Sequence, residues 1–164
     1  MITLKVAQPK DARKLGELLF ECNKVIAGAM QAADASCDQS LEDCIQSFRQ
    51  NRCCDVITGW YEAQMVGFCN YGPGRDSDIL KDTGEIYHLF IKPEYQRGGD
   101  GRRMLHEAIR KLRREEYSQV VVWVGEDNIV AMAFYEALGF KNDGAYRFID
   151  EEEKIKEIRF FRNI

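Results

Sequence analysis

The run Gln96-Arg97-Gly98-Gly99-Asp100-Gly101-Arg102 stands between an apolar stretch ending at Ile91-Lys92-Pro93 and a basic segment of strong helical character. A strand, a glycine loop and a helix in that order let backbone N–H groups approach an anion without interference from Cβ atoms. The helix adds the positive end of its dipole at the same point. The chemistry this spacing offers is the binding of a phosphate-bearing ligand. Two common phosphate loops are excluded, because no Gly-Lys-Ser/Thr closes the run as in a P-loop and Met104 stands where a dinucleotide fingerprint would place its third glycine. Neither a nucleoside triphosphate nor NAD is the expected ligand.

The elements that must hold this loop can be read from periodicity. Ile2 to Val6 alternates like a strand, and from Pro9 the residues Ala12, Leu15, Leu18, Leu19, Cys22 and Ile26 follow helical spacing. Leu41 to Arg49 reads as a shorter helix with Leu41, Cys44, Ile45 and Phe48 on one face, and the small and polar residues from Ala27 to Gln39 are expected to form a flexible lid. Asp55 to Tyr61 and Met65 to Tyr71 suit a hairpin around Glu62-Ala63-Gln64. Gly72 to Gly84 predicts an exposed loop leading into the strand Glu85 to Ile91. Gly101 to Glu116 is a helix with Leu105, Ala108, Ile109 and Leu112 on its buried stripe. As a crossover it makes the apolar run Val120 to Gly125 parallel to the preceding strand. Asn128 to Leu138 is a helix ended by Gly139, and Phe140 to Ile149 and Ile155 to Phe161 are strands around the acidic turn Asp150-Glu151-Glu152-Glu153. The expected class is α/β: a mixed, mostly antiparallel sheet with a central parallel pair and helices on both faces.

Composition narrows the role of such a domain. At 164 residues, 45% hydrophobic and 30% charged, the chain is expected to be one globular domain, 1–164, without repeats or linkers. No apolar run approaches membrane-spanning length and Met1 to Gln8 is no signal peptide, so a cytoplasmic location is expected. The six cysteines, at 22, 37, 44, 53, 54 and 69, form no Cys-x-x-Cys pair, so they are expected to be reduced and mostly buried, with neither zinc nor disulfides. A net charge of −4 argues against nucleic acid as a partner.

The chain resembles the GNAT superfamily of acetyl-CoA-dependent N-acetyltransferases. Gln96-Arg97-Gly98-Gly99-Asp100-Gly101 matches the family's Q/R-x-x-G-x-G/A loop, and Asn128 with Ala133-Phe134-Tyr135 and Leu138-Gly139-Phe140 matches its second signature. The resemblance implies that the amides of Gln96, Arg97, Gly98, Gly99 and Gly101 hold the pyrophosphate of coenzyme A, with Arg97 and Arg102 neutralising charge and Asn128 also at the cofactor. Leu89, Phe90 and Ile91 would meet the pantetheine arm through their backbone, on a strand that splays from its neighbour in the family. Asp100 departs from the family pattern, and a carboxylate beside a pyrophosphate is repulsive unless it points to solvent or pairs with an arginine.

Acetyl transfer to an amine needs a base for the nucleophile, an oxyanion donor and an acid for the departing thiolate. The resemblance places Tyr135 beside the coenzyme sulfur as the acid and the Leu89 N–H at the acetyl carbonyl. Glu85, four residues before Leu89 and hence on its face by strict alternation, is the expected base; His88, on the opposite face, is the second candidate. Without a Ser/Cys-His-Asp constellation, direct transfer in a ternary complex is expected. Asp76, Asp78, Asp82 and the turn at Asp150 read either as an attraction for a cationic acceptor or as solvated turns. The expected partners are acetyl-CoA and a primary amine, of a small molecule or of a peptide or protein, and no metal. The C-terminal strands offer an edge for a homodimer. The alternative is a non-catalytic acyl-CoA-binding regulatory module.

Overall fold

Runs of period two and period 3.6 follow one another along the chain, giving β1 (Thr3–Val6), α1 (Ala12–Ala29), α2 (Leu41–Gln50), β2 (Asp55–Tyr61), β3 (Gln64–Pro73), β4 (Thr83–Ile91), α3 (Asp100–Arg114), β5 (Gln119–Gly125), α4 (Ile129–Ala137), β6 (Lys141–Asp150) and β7 (Ile155–Asn163). These come from a computed structural model that describes residues 1–29, 40–50, 55–150 and 155–164. Residues 30–39 of the expected lid, Cys37, Cys53, Cys54 and residues 151–153 of the acidic turn lie outside the described residues. Cys22, Cys44 and Cys69 are buried, as their small apolar character suggests.

The strands make one sheet in the order β1-β2-β3-β4-β5-β7-β6, in which β4 and β5 are parallel and the other pairs antiparallel. This is the expected mixed sheet, with helices on both faces. On one face Leu15, Leu18, Leu19 and Cys22 of α1 and Cys44 of α2 pack on Val56, Met65, Phe68 and Phe90. A Cβ on Gly16 would sit 2.6 Å from the backbone of Ile45, so α1 and α2 approach closely only because that position carries no side chain. On the other face Met104, Leu105, Ala108, Ile109 and Leu112 of α3, none more than 4% exposed, cover Ile57, Val66, Ile86, Val120 and Val122. Burial of each large side chain contributes about 1.5–3 kcal/mol, which fixes the start of α3 firmly against the sheet.

Two irregularities in β4 create the site. Its ladder with β5 runs only from Thr83 opposite Gln119 to Ile86 opposite Val122, although β4 continues to Ile91 and β5 to Gly125. The strands therefore part after Ile86, and the β5-facing edge of Leu89, Phe90 and Ile91 is left outside any ladder. The register with β3 also jumps, from Tyr71 opposite Ile86 to Asn70 opposite His88, so Tyr87 is an extra, bulged residue. A bulge bends its strand and shifts the alternation by one. Ile86, Leu89 and Ile91 accordingly meet the α3 core while Phe90 lies in the α1 core. Glu85 therefore shares a face with His88 and not with Leu89, which corrects the reading by strict alternation.

Candidate active site

The gap between the parted strands opens into a cleft of about 850 Å³. Leu89 and Ile91 form one wall, the glycine loop and the start of α3 its end, and the first turns of α4 the opposite wall. The loop reaches its shape through Arg97 at φ 65° and Gly99, the N-cap of α3, at φ 81°. Left-handed residues interleaved with ordinary ones turn successive N–H groups to one side, the concave arrangement that binds anions. For Gly99 the requirement is conformational, since a Cβ there would touch nothing. For Arg97, a non-glycine in this region, the strain is of order 1–3 kcal/mol and is placed where the loop must wrap a ligand.

Eight of the ten residues expected at the cofactor line this cleft: Leu89, Ile91, Gln96, Arg97, Gly99, Gly101, Arg102 and Asn128. The other two do not. Phe90 turns its ring into the α1 core and its backbone to β3, and Gly98 lies outside the lining. Two of the eight are partly engaged by the protein itself. Gln96 donates from its side-chain Nε2 to the Ile91 carbonyl at 2.7 Å, tying the loop to the end of β4, and from its backbone N–H to the Pro93 carbonyl at 3.2 Å, and Asn128 Oδ1 caps α4 by accepting from Ala131 N at 3.0 Å. Asp100 is 5% exposed, pairs with Arg103 and accepts from Ile2 N at 3.3 Å, while Arg103 also donates to the Ile2 carbonyl at 3.0 Å. The carboxylate is thus turned to an arginine and to β1, which removes the expected conflict with a pyrophosphate. The sequence reading missed the apolar lining from Val25, Ile129, Val130 and Phe134. The signal available was the run Ile129-Val130-Ala131-Met132-Ala133-Phe134, apolar on every side of a short helix, of which Ile129 and Val130 stand 65% and 83% exposed.

Tyr135 lies behind the lining, 6% exposed and edge-on to Phe134 and Phe140. Asn128, two turns earlier, stands exposed at the cap of the same helix. Burial, reinforced by Cys69, pushes the phenol well above its ordinary pKa and keeps it protonated. Its hydroxyl has no hydrogen-bond partner among the described residues.

The opposite face of β4 is organised by side chains. Glu85, 1% exposed, accepts from Arg75 Nη2 at 2.6 Å, from Arg75 Nε at 3.1 Å and from the Arg75 amide at 3.0 Å. That hydrogen-bonded carboxylate raises the guanidinium pKa further, and the guanidinium stacks over Tyr87 at 4.3 Å. His88 is half-buried, with Nδ1 3.1 Å from Asn70 Oδ1. Burial first, and the charge of Arg75 second, lower its pKa to about 4. Beyond them Arg159, 6% exposed, binds Asp76 at 3.1 Å, Asp78 at 2.7 Å and Asp143 at 2.7 Å, and Trp123 Nε1 donates to Asp76 at 3.0 Å. Asp76 and Asp78 are therefore not free carboxylates: they latch the loop 74–82 onto β5 and β7, with Asp78 still largely exposed to solvent. Arg75, Asn70 and Arg159 carry no local signal, since their partners are brought near only by the sheet.

The cleft fits coenzyme A on three counts: an anion-binding loop at a helix N-terminus, an unpaired strand edge for a peptide-like arm, and an apolar wall. The family model described as "Acetyltransferase (GNAT) family" matches residues 17–140. The chain is 27% identical over 123 residues to the spermine/spermidine N(1)-acetyltransferase of Bacillus subtilis, covering 73% of this chain and 81% of that protein. It is 26% identical over 104 residues to human N-acetyltransferase 8, where the match covers 63% of this chain but only 46% of the human protein. Among solved structures it is similar to the PaiA N-acetyltransferase of Thermoplasma acidophilum in complex with coenzyme A, with TM-score 0.73, 19% identity and coverage of 100% and 99% of the two chains. It is likewise similar to a ribosomal-protein-alanine N-acetyltransferase of Brucella melitensis, with TM-score 0.75, 18% identity and 99% of each chain covered.

Proposed function

The chain belongs to the acetyltransferase (GNAT) family, and from that premise we propose that it moves an acetyl group from acetyl-CoA directly to a primary amine. The observation that carries this reading is the parting of β4 from β5 after Ile86, with the glycine loop at the end of the gap. The amides of residues 97–101 would hold the pyrophosphate, with Arg97 and Arg102 beside it, since the Gln96 N–H is already given to the Pro93 carbonyl. The free edge of Leu89 to Ile91 would meet the pantetheine arm, and the Leu89 N–H would polarise the acetyl carbonyl. The thioester supplies an activated acyl group when it is bound; the remaining work belongs to the protein.

Tyr135 is the proposed acid, supported by a phenol that stays protonated and whose oxygen has no partner among the described residues. Glu85 was the expected base, but against it stand its closed pairing with Arg75 and its 1% exposure. Its proposed role is to position Arg75 on the acceptor side. The regulatory alternative loses its main support, because Asp100 is paired with Arg103. The relatives' names mention a polyamine and a ribosomal-protein alanine, and an amine is what those acceptors share.

The reading is tested by acetyl-CoA-dependent thiol release across a panel containing spermidine, simple primary amines and a peptide with a free N-terminal alanine. Acceptor-dependent release is expected, falling by at least about 100-fold in Tyr135→Phe while acetyl-CoA still binds. Binding without release for every acceptor would return the protein to the regulatory class.

A further inference from the structure

Resting on the acetyl-transfer reading above, we propose that His88 is the general base that takes the proton of the acceptor amine, and that Asn70 is the residue that positions it. The bulge at Tyr87 turns His88 to the face opposite Leu89, so base and cofactor meet across the same stretch of β4. An amine reaching the acetyl carbon from the side away from α3 passes that face.

The geometry fixes which ring nitrogen is free to take a proton, while a pKa of about 4 makes that nitrogen a weaker base than an ordinary imidazole. A carboxamide oxygen can only accept, so the 3.1 Å contact to Asn70 Oδ1 places the proton on Nδ1 and leaves the lone pair on Nε2. Asn70 is itself 6% exposed and sits directly opposite His88 in the ladder, so the partner that selects the tautomer is held by the sheet. His88 is neutral at physiological pH, and half-buried. The charged group acting on it is Arg75, which Glu85 holds in place. In the transfer the amine nitrogen bonds to the acetyl carbon, and the C–S bond breaks with its electron pair staying on sulfur. The N–H proton passes to His88 Nε2, and the sulfur takes its proton from Tyr135. His88 then releases its proton to solvent and the phenolate regains one, so both groups return to their starting state.

The test compares wild type with His88→Ala, His88→Gln and Asn70→Leu, using an acceptor that the wild type turns over. Both His88 variants should lose about 100-fold in kcat or more, with acetyl-CoA affinity changed by less than about twofold, since His88 lies on the other face from the cleft. Added imidazole should restore His88→Ala in proportion to its concentration, and substituted imidazoles should rank by basicity, which a role in packing would not produce. Asn70→Leu should lower kcat by about tenfold at unchanged KM for acetyl-CoA, and ¹⁵N spectra should show the Nδ1–H tautomer in wild type losing its dominance. A kcat for His88→Gln within about threefold of wild type would overturn the proposal, and so would loss of acetyl-CoA binding in both His88 variants, which would make the residue part of the fold. Absence of amine-dependent release from the wild type would instead overturn the acetyl-transfer reading, and the base with it.

Discussion

The two faces of β4 are built by different means. On the α3 side the cleft is made of backbone: a left-handed turn at Arg97 and Gly99, a helix N-terminus, and a strand edge without a ladder partner. On the α1 side the surface is made of side chains paired over long stretches of sequence, Arg75 with Glu85, His88 with Asn70, and Arg159 with Asp76 and Asp78. Backbone dipoles recognise groups that any acyl-coenzyme A carries, whereas side-chain networks set local charge and shape. With a bulge separating its two faces, one strand can present a backbone surface on one side and a side-chain surface on the other, which is the division the proposed donor and acceptor sites would use.

Breaking either side separately tests this division. Arg159→Leu leaves three carboxylates clustered without their cation, and with the guanidinium site buried it should cost about 3 kcal/mol. Denaturant unfolding should show that loss while acetyl-CoA affinity stays within about twofold of wild type. An equal loss of affinity would mean that the two faces are coupled.

A second test uses pH. His88 has a folded pKa of about 4, below the 6.5 of an unfolded histidine, so between those values the unfolded chain binds more protons than the native one. Stability contributed by the neutral ring is present above about pH 6.5 and is lost as pH falls towards 4. Discounted for its partial exposure, the loss amounts to about 2 kcal/mol. Unfolding free energies measured across that window should slope in this direction, and His88→Gln should flatten the slope.

Asp100→Ala should cost about 1.5–3 kcal/mol, because the buried carboxylate joins Arg103 to the Ile2 amide and so holds β1 against the start of α3. Gly99→Val is expected to do least to stability and most to the cofactor. A β-branched residue at φ 81° is strained by about 1–2 kcal/mol, so acetyl-CoA binding measured by calorimetry should weaken by about tenfold. Acceptor-side variants should leave that binding unchanged.

The legible part of the molecule follows the same division. Strand and helix identities were readable because α3 and β5 carry unambiguous apolar patterns, and the glycine loop announced its ligand class locally. The bulge at Tyr87 was not readable, since nothing in Ile86-Tyr87-His88 departs from an ordinary strand; the extra residue shows only against the register of β3. Every assignment that depended on alternation across it, Glu85 with Leu89 above all, moved to the other face. Asp76 and Asp78 looked like solvent-facing turn residues because their partner Arg159 lies 83 and 81 residues away. For Asp100 the pairing is half local, since Arg103 lies three residues on, but the Ile2 amide that completes it is 98 residues away. Local chemistry can be read from neighbours in the chain, and pairings made by sheet topology cannot.

The central claim is that acetyl-CoA lies in the gap left where β4 parts from β5. Hydrogen–deuterium exchange with and without acetyl-CoA addresses it directly, because the amides of Leu89 and Ile91 and of residues 97–102 are the groups expected to gain partners. Slowed exchange is expected in those two segments, with little change in the β5 amides that face β7, which are already paired. Slowed exchange at Tyr61, Glu62 and Gln64, around another cavity beside α1, with residues 89–91 unaffected, would overturn it.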